Sequence, residues 1–165
     1  MKSGQVLALL SGIITLLGTF VFAIYGLTGI VAGSGIGFIT NLGDLFSNAD
    51  AIALFLGFDV WIIYLLTILF LIFLASGILQ MLGVKSRVLG FIFSLFPLVV
   101  GFMIIIFFYT DILGPTTAVF TLYFAGEHFG DFFPIIVNLG DVGLGAYLLV
   151  SGGVLGIIGT FLPRD

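Results

Sequence analysis

The chain has 165 residues, 61% of them hydrophobic and only 7% charged, with a formal net charge of −4, a mean hydropathy of +1.41 and no cysteine. A soluble domain carries about a quarter charged residues, and a chain of this length cannot enclose so much apolar surface in water, so its solvent is lipid. The missing cysteines exclude disulfides, thiolate metal sites and cysteine nucleophiles, and the acidic balance argues against nucleic acid as a partner, because such surfaces are basic.

The first apolar run follows Lys2 and extends from about Gln5 to Val31. It is too long for a secretory h-region, and no A-x-A-type site follows it, so it reads as an uncleaved first membrane helix. Gly4, Ser11 and Gly18 recur in it every seventh residue. Lipid tails supply no hydrophobic drive between helices, so a stripe of small residues marks a face built for close approach. At its exit, GLTGIVAGSGIG sets Gly29, Gly33 and Gly37 four apart. That pattern fits either a GxxxG helix-packing face or a poorly helical exit from the span.

An outer loop follows at 32–59. Its NLGD, Asn41 to Asp44, has the composition of a helix start with Asp in a capping position. The apolar AIALFLGF, Ala51 to Phe58, raises the expectation that the second helix extends outward past Asp59. The second span is the charge-free stretch Val60–Val84, and the third, after Lys85 and Arg87, is Val88–Thr110. Both are dense in Leu, Ile and Phe, a composition suited to lipid or a neighbouring subunit. Pro97 is expected to kink the third span unless neighbours satisfy the carbonyl it frees. Ser76, Gln80 and Ser94 are the inner polar residues, suited to hydrogen bonds between helices.

The second outer loop covers 111–141. TTAVFTLYF, Thr116 to Phe124, is β-branched and aromatic and has strand potential. Phe120, Tyr123, Phe124, Phe129, Phe132 and Phe133 make the loop a candidate aromatic contact, either between subunits or folded back over the bundle. Glu127, His128 and Asp131 are the candidate metal or acid–base group, although their spacing is not diagnostic. A second NLGD, Asn138 to Asp141, leads into the fourth span, Val142–Pro163, before Arg164. Gly145, Gly152 and Gly159 repeat the seven-residue interval there, so the first and fourth spans are expected to pack on one another.

Lys2, Lys85, Arg87 and Arg164 all fall on one side of the membrane. Asp44, Asp50, Asp59, Asp111, Glu127, Asp131 and Asp141 fall on the other. By the positive-inside rule both termini and the 85–87 turn are cytoplasmic. The expected fold is therefore an all-α antiparallel bundle of four transmembrane helices, a single domain over 1–165, in the plasma membrane. Its two apolar outer loops have strand or surface-helix potential.

Four helices, internal termini and two such loops resemble the claudin-type tetraspan plan. The resemblance is one of topology, for the claudin Trp-Gly-Leu-Trp-type motif and its two cysteines are replaced here by Trp61 alone at the head of the second span. No Asp, Glu, Lys, Arg or His lies within the spans beyond Lys2, which argues against a coupled transporter, and no nucleophile or metalloprotease motif is present. The expectation is a cofactor-free, non-enzymatic protein acting through assembly, either as a homo-oligomeric structural element or as a subunit of a membrane complex. The alternative is an oligomeric pore with an acidic mouth, lined by hydroxyls such as Ser11, Thr15 and Thr19. A metal-binding outer loop is the weaker one.

Overall fold

A computed structural model of the protein describes residues 2–27, 31–110, 112, 121, 123–126 and 133–163. It is mostly helical. Four helical segments are long and apolar enough to cross a membrane: Ser3–Val21, Val60–Val84, Arg87–Tyr109 and Leu144–Phe161, of 19, 25, 23 and 18 residues. Such lengths match a hydrocarbon core of about 30 Å.

Helix α1 (Ser3–Leu16) continues through a π turn at Leu17–Val21. There the Phe22 amide donates to Leu17 O at 2.9 Å, and the Thr19 hydroxyl bonds back to Thr15 O at 2.8 Å. Phe22 is extended, so the first span ends at Val21 rather than near Val31. The apolar residues beyond it enter strands β1 (Tyr25–Leu27) and β2 (Val31–Gly33), where aromatic and β-branched side chains such as Tyr25 and Val31 are favoured. Strand β3 (Ala125–Gly126), from the other loop, completes an antiparallel sheet of order β1-β2-β3, with Tyr25 opposite Gly33 and Ala32 opposite Gly126. Gly33 is thus a strand residue, seated beneath the Tyr25 ring, and belongs to no helical GxxxG face. Gly29 lies outside the described residues.

Helices α2 (Gly35–Ser47) and α3 (Ala49–Leu56) follow. Ser34, not the first NLGD, caps α2, accepting from the Gly37 amide at 3.2 Å; Asn41 to Asp44 lie in the helix interior. Gly57, at φ 70°, ends α3, and Phe58 N bonds back to Ala53 O at 2.9 Å. A left-handed residue of this kind closes a helix. The expected outward extension of the second span through Asp59 is therefore broken, and α4 (Val60–Met81) begins afresh with Asp59 at its N-cap position. A short 3₁₀ turn (Leu82–Val84) leads into α5 (Arg87–Tyr109). The second NLGD also starts no helix: β4 (Asn138–Leu139) and β5 (Val142–Gly143) form a hairpin around Gly140, at φ 71°, and Asp141. Helix α6 (Leu144–Phe161) starts after it. The strand expected within TTAVFTLYF is displaced as well. Thr121, Tyr123 and Phe124 have helical backbone and pairing begins at Ala125.

The bundle closes through glycines. On α6, a Cβ at Gly145 would sit 2.7 Å from Ala23 O, and one at Gly159 would sit 3.1 Å from Leu7 Cβ and 3.4 Å from Gly4 O. At Gly152 it would strike the Thr15 hydroxyl and approach Ser11 O at 3.1 Å. On the facing helix, a Cβ at Gly18 would lie 2.8 Å from Gly145 O. The small residues of α1 and α6 thus meet in antiparallel order, Gly4 by Gly159, Ser11 by Gly152 and Gly18 by Gly145. A second face of α6 receives α5, with Gly153 against Leu98 N and Gly156 against the Ser94 hydroxyl. Helix α4 docks on α1 where Gly77 meets Leu16 and Gly12 meets Gly77 O. Pro97 is buried within α5, one residue before the Leu98 backbone that Gly153 admits.

Two glycines make the energetics testable. In Gly18→Ala the methyl group has backbone atoms on its far side, and overpacking of that kind costs about 1–3 kcal/mol. Gly43, in α2, has nothing within 4 Å of its would-be Cβ, so Gly43→Ala should gain about 0.5–1 kcal/mol from helix propensity. Thermal unfolding in one detergent should therefore lower the midpoint of the first variant and raise that of the second.

Candidate functional site

Three regions carry the residues that sequence reasoning singled out. The first is the seam. Ser11, Thr15 and Thr19 are fully buried in it. Ser11 donates to Ala8 O at 2.9 Å, Thr19 to Thr15 O, and the Thr15 hydroxyl abuts Gly152. These hydroxyls are shut inside the protomer and do not present themselves for lining a pore. Ser76 and Ser94 are also buried, yet each bonds its own helix, to Phe73 O and Gly90 O at 2.6 Å, instead of bridging helices as expected. In a helix the carbonyl three or four residues back is already at hand, so a short hydroxyl is satisfied locally. The Gln80 amide is buried without a hydrogen-bond partner among the described residues.

The second region is the cap formed by both long loops. Phe38 of α2, Phe70 and Phe73 of α4, and Tyr123 and Phe124 form one aromatic cluster with ring centroids 5.1 to 6.3 Å apart, several of them edge to face. Tyr123 and Phe124 are buried inside this chain by that cluster, and Phe133 is half-buried. Such pairs contribute about 0.5–1.5 kcal/mol each beyond the area they bury. Tyr25, stacked near Phe108 at 5.3 Å, donates its hydroxyl to Thr121 O. Sequence reasoning missed Tyr25, which lies in the run read as the first span, and Phe38, in the first outer loop, as partners of the second loop. The backbone knits the same loops together: Ser34 N donates to Phe124 O, Ala23 N to Ile135 O and Gly143 N to Ile24 O, at 2.8 to 2.9 Å.

A cavity of about 580 Å³ opens beside this cap, lined by Val31, Ser34, Ile36, Gly37, Thr40, Asn41, Ala125 and Gly126. Its polar groups are largely engaged, with Ser34 capping α2 and the Asn41 amide donating to Ala125 O at 2.6 Å. A smaller hollow of about 260 Å³ continues along α2 past Asp44 and Asn48.

The third feature is charge. Lys2, Lys85 and Arg87 are exposed at the end of the bundle where the chain termini meet, the Gly4 amide donating to Pro163 O at 3.1 Å. Asp44, Asp50, Asp59 and Asp141 are exposed at the opposite, loop end. Arg164, Asp111, Phe120, Phe129, Phe132 and the Glu127, His128, Asp131 group lie outside the described residues. Among the described residues no three His, Cys, Asp or Glu side chains are grouped as metal ligands. Comparison with protein-family models, with curated proteins and with solved structures finds no match.

Burial raises the Tyr25 phenol well above the ordinary tyrosine range, and burial raises Tyr123 against the opposing hydrogen bond from Thr67. A raised folded pKa means that the neutral form is favoured in the native state. The resulting stability is complete below the unfolded value of about 10 and is lost as pH climbs above it. Melting temperature should therefore fall between about pH 9 and about pH 11. In Tyr25→Phe that fall should be shallower, from a starting stability lower by about 1 kcal/mol for the lost bond to Thr121 O.

Proposed function

We propose that this is a non-enzymatic tetraspan membrane protein that acts through assembly, as a homo-oligomeric structural element or as a subunit of a larger membrane complex. The observation that carries this reading is how the bundle divides its surface. The glycine contacts and buried hydroxyls are turned inward. The opposite side, on α4 and α5, exposes large apolar side chains such as Ile68, Ile78, Val88, Val99 and Phe102. Between those two helices runs a groove of about 450 Å³ whose lining, from Leu66 and Leu69 to Val99 and Met103, is wholly apolar. In lipid, association comes from close van der Waals packing, and a concavity between two spanning helices offers more contact to a second helix than a convex face does.

The pore reading retains one supporting observation, the carboxylates Asp44, Asp50, Asp59 and Asp141 exposed at one end. A ring of such groups would concentrate cations. With Ser11, Thr15 and Thr19 enclosed, however, its walls would be the apolar faces of neighbouring copies, so assembly is the better-supported reading. The claudin-like plan enters as a topological parallel for a protein that works through lateral contacts.

The orientation belongs to the same proposal, with the Lys2, Lys85 and Arg87 end in the cytoplasm by the positive-inside rule. The chain has no native cysteine, so single replacements report cleanly. In intact cells an impermeant maleimide should label Ser47→Cys and should reach Ser3→Cys only after permeabilisation; the reverse pattern would overturn the orientation. For assembly, the native mass of particles extracted with their own lipids should exceed the 17.6 kDa of one chain. Val99→Trp, which fills the groove from an exposed position, should shift the mass toward the monomer. A wild-type protein that runs as a lone monomer would end this reading.

A further inference from the structure

Helix α3 is apolar on both of its faces. Ala49 and Ala53 are buried against Ile63, with Ile52, Leu56 and Val60 packed beside them. Its other side carries Ala51, Leu54 and Phe55, all exposed; Leu54 is 84% and Phe55 64% exposed. Asp50 is its single charge, at the first turn. An exposed helix in water presents a polar outer face, whereas one that is apolar all round belongs in an apolar medium. The exposed surface does not stop at the end of α3. Beyond the Gly57 turn it continues through Phe58 and Trp61, 60% exposed, onto the outward side of α4, where Leu65 and Ile68 are exposed within the apolar helix. Beside it Phe46, at the end of α2, stacks on Tyr64 at 5.8 Å.

We infer that α3 is an interfacial helix whose Leu54 and Phe55, with Phe58 and Trp61, insert into the lipid at the loop end of the bundle. Its occupant is the bilayer, because the patch is continuous with the lipid-facing surface of α4 and its rings lie where an aromatic belt forms, at the head of a spanning helix. A helix of this kind settles about 5–10 Å into the boundary between headgroups and acyl chains. Asp44, Asp50 and Asp59 are exposed at the same end of the bundle. No basic residue stands at this end among the described residues, so the contact is made by apolar burial rather than by attraction to anionic headgroups. The inference rests only on membrane insertion and is independent of the assembly reading.

The test uses the full chain in phosphatidylcholine vesicles. Trp61 is the only tryptophan, so Trp61→Phe combined with Phe55→Trp places a single reporter on α3, and Trp61→Phe with Leu54→Trp gives a second, independent one. The expected result is blue-shifted emission that lipids brominated near the head of the acyl chain quench strongly. Quenching should be weaker by lipids brominated near the methyl end and nearly absent with aqueous iodide. It should be unchanged when part of the lipid is replaced by phosphatidylglycerol. Red-shifted emission quenched by iodide would place α3 in water and overturn the inference. Emission shielded from both quenchers, and unshielded on dilution of the protein in lipid, would show that a second copy covers α3 and would overturn it as well.

Discussion

The contact on which the rest of this structure depends is the backbone-to-backbone approach of α1 and α6. At Gly18 and Gly145, Ser11 and Gly152, and Gly4 and Gly159, small residues bring the backbones of the two helices close to one another. In water, large apolar side chains drive helices together. In lipid they gain nothing by leaving the solvent, and only close packing distinguishes a helix neighbour from an acyl chain. The seam supplies that packing, and α6 supplies it twice, to α1 on one face and to α5 on another through Gly153 and Gly156. The helix with the most open side-chain inventory is thereby the most enclosed.

The loop cap is an extension of the same seam. Where α1 ends, Ala23 O accepts the Gly145 amide and Ile24 O the Gly143 amide, at 2.9 and 2.8 Å. The carbonyls leaving one helix thus satisfy donors at the start of the other, groups that a helix N-terminus leaves open. The three-stranded sheet and the Phe38, Phe70, Phe124 cluster then hold α2 and the second loop onto the bundle. The long apolar helices and the loop cap are thereby packed into one unit, because the aromatic rings of both meet at their junction.

The outward surfaces differ from this interior. The buried hydroxyls are satisfied or enclosed, while the α4–α5 side and the α3 side are apolar and open. The two surfaces lie at different places: one is a groove between α4 and α5, and the other is an apolar, aromatic patch at the loop end, on α3 and the head of α4. On the proposed readings, such a protein is anchored at its loop end and packs laterally through the groove.

The sequence alone determined the solvent, the existence of four spans and the segregation of basic from acidic residues. Those follow from composition and from charges at run ends, which lipid punishes wherever they are misplaced. The small-residue stripes were legible for a related reason, since their seven-residue interval repeats along one helix face. What tertiary structure decided was where apolar runs stop being helix. Phe22 to Val31 carries the hydropathy of a span, yet Tyr25–Leu27 and Val31 pair in a sheet whose third strand lies some hundred positions away. The two NLGD copies are identical in sequence, but one is helix interior and the other a hairpin. Four residues cannot choose between those states, because the Ser34 cap upstream of one and the Gly140 turn within the other are selected by what each packs against. Phe38, Phe70 and Phe124 were invisible as a cluster for the same reason. Composition reports how much apolar surface a chain must bury, whereas only three-dimensional contact decides which rings bury each other.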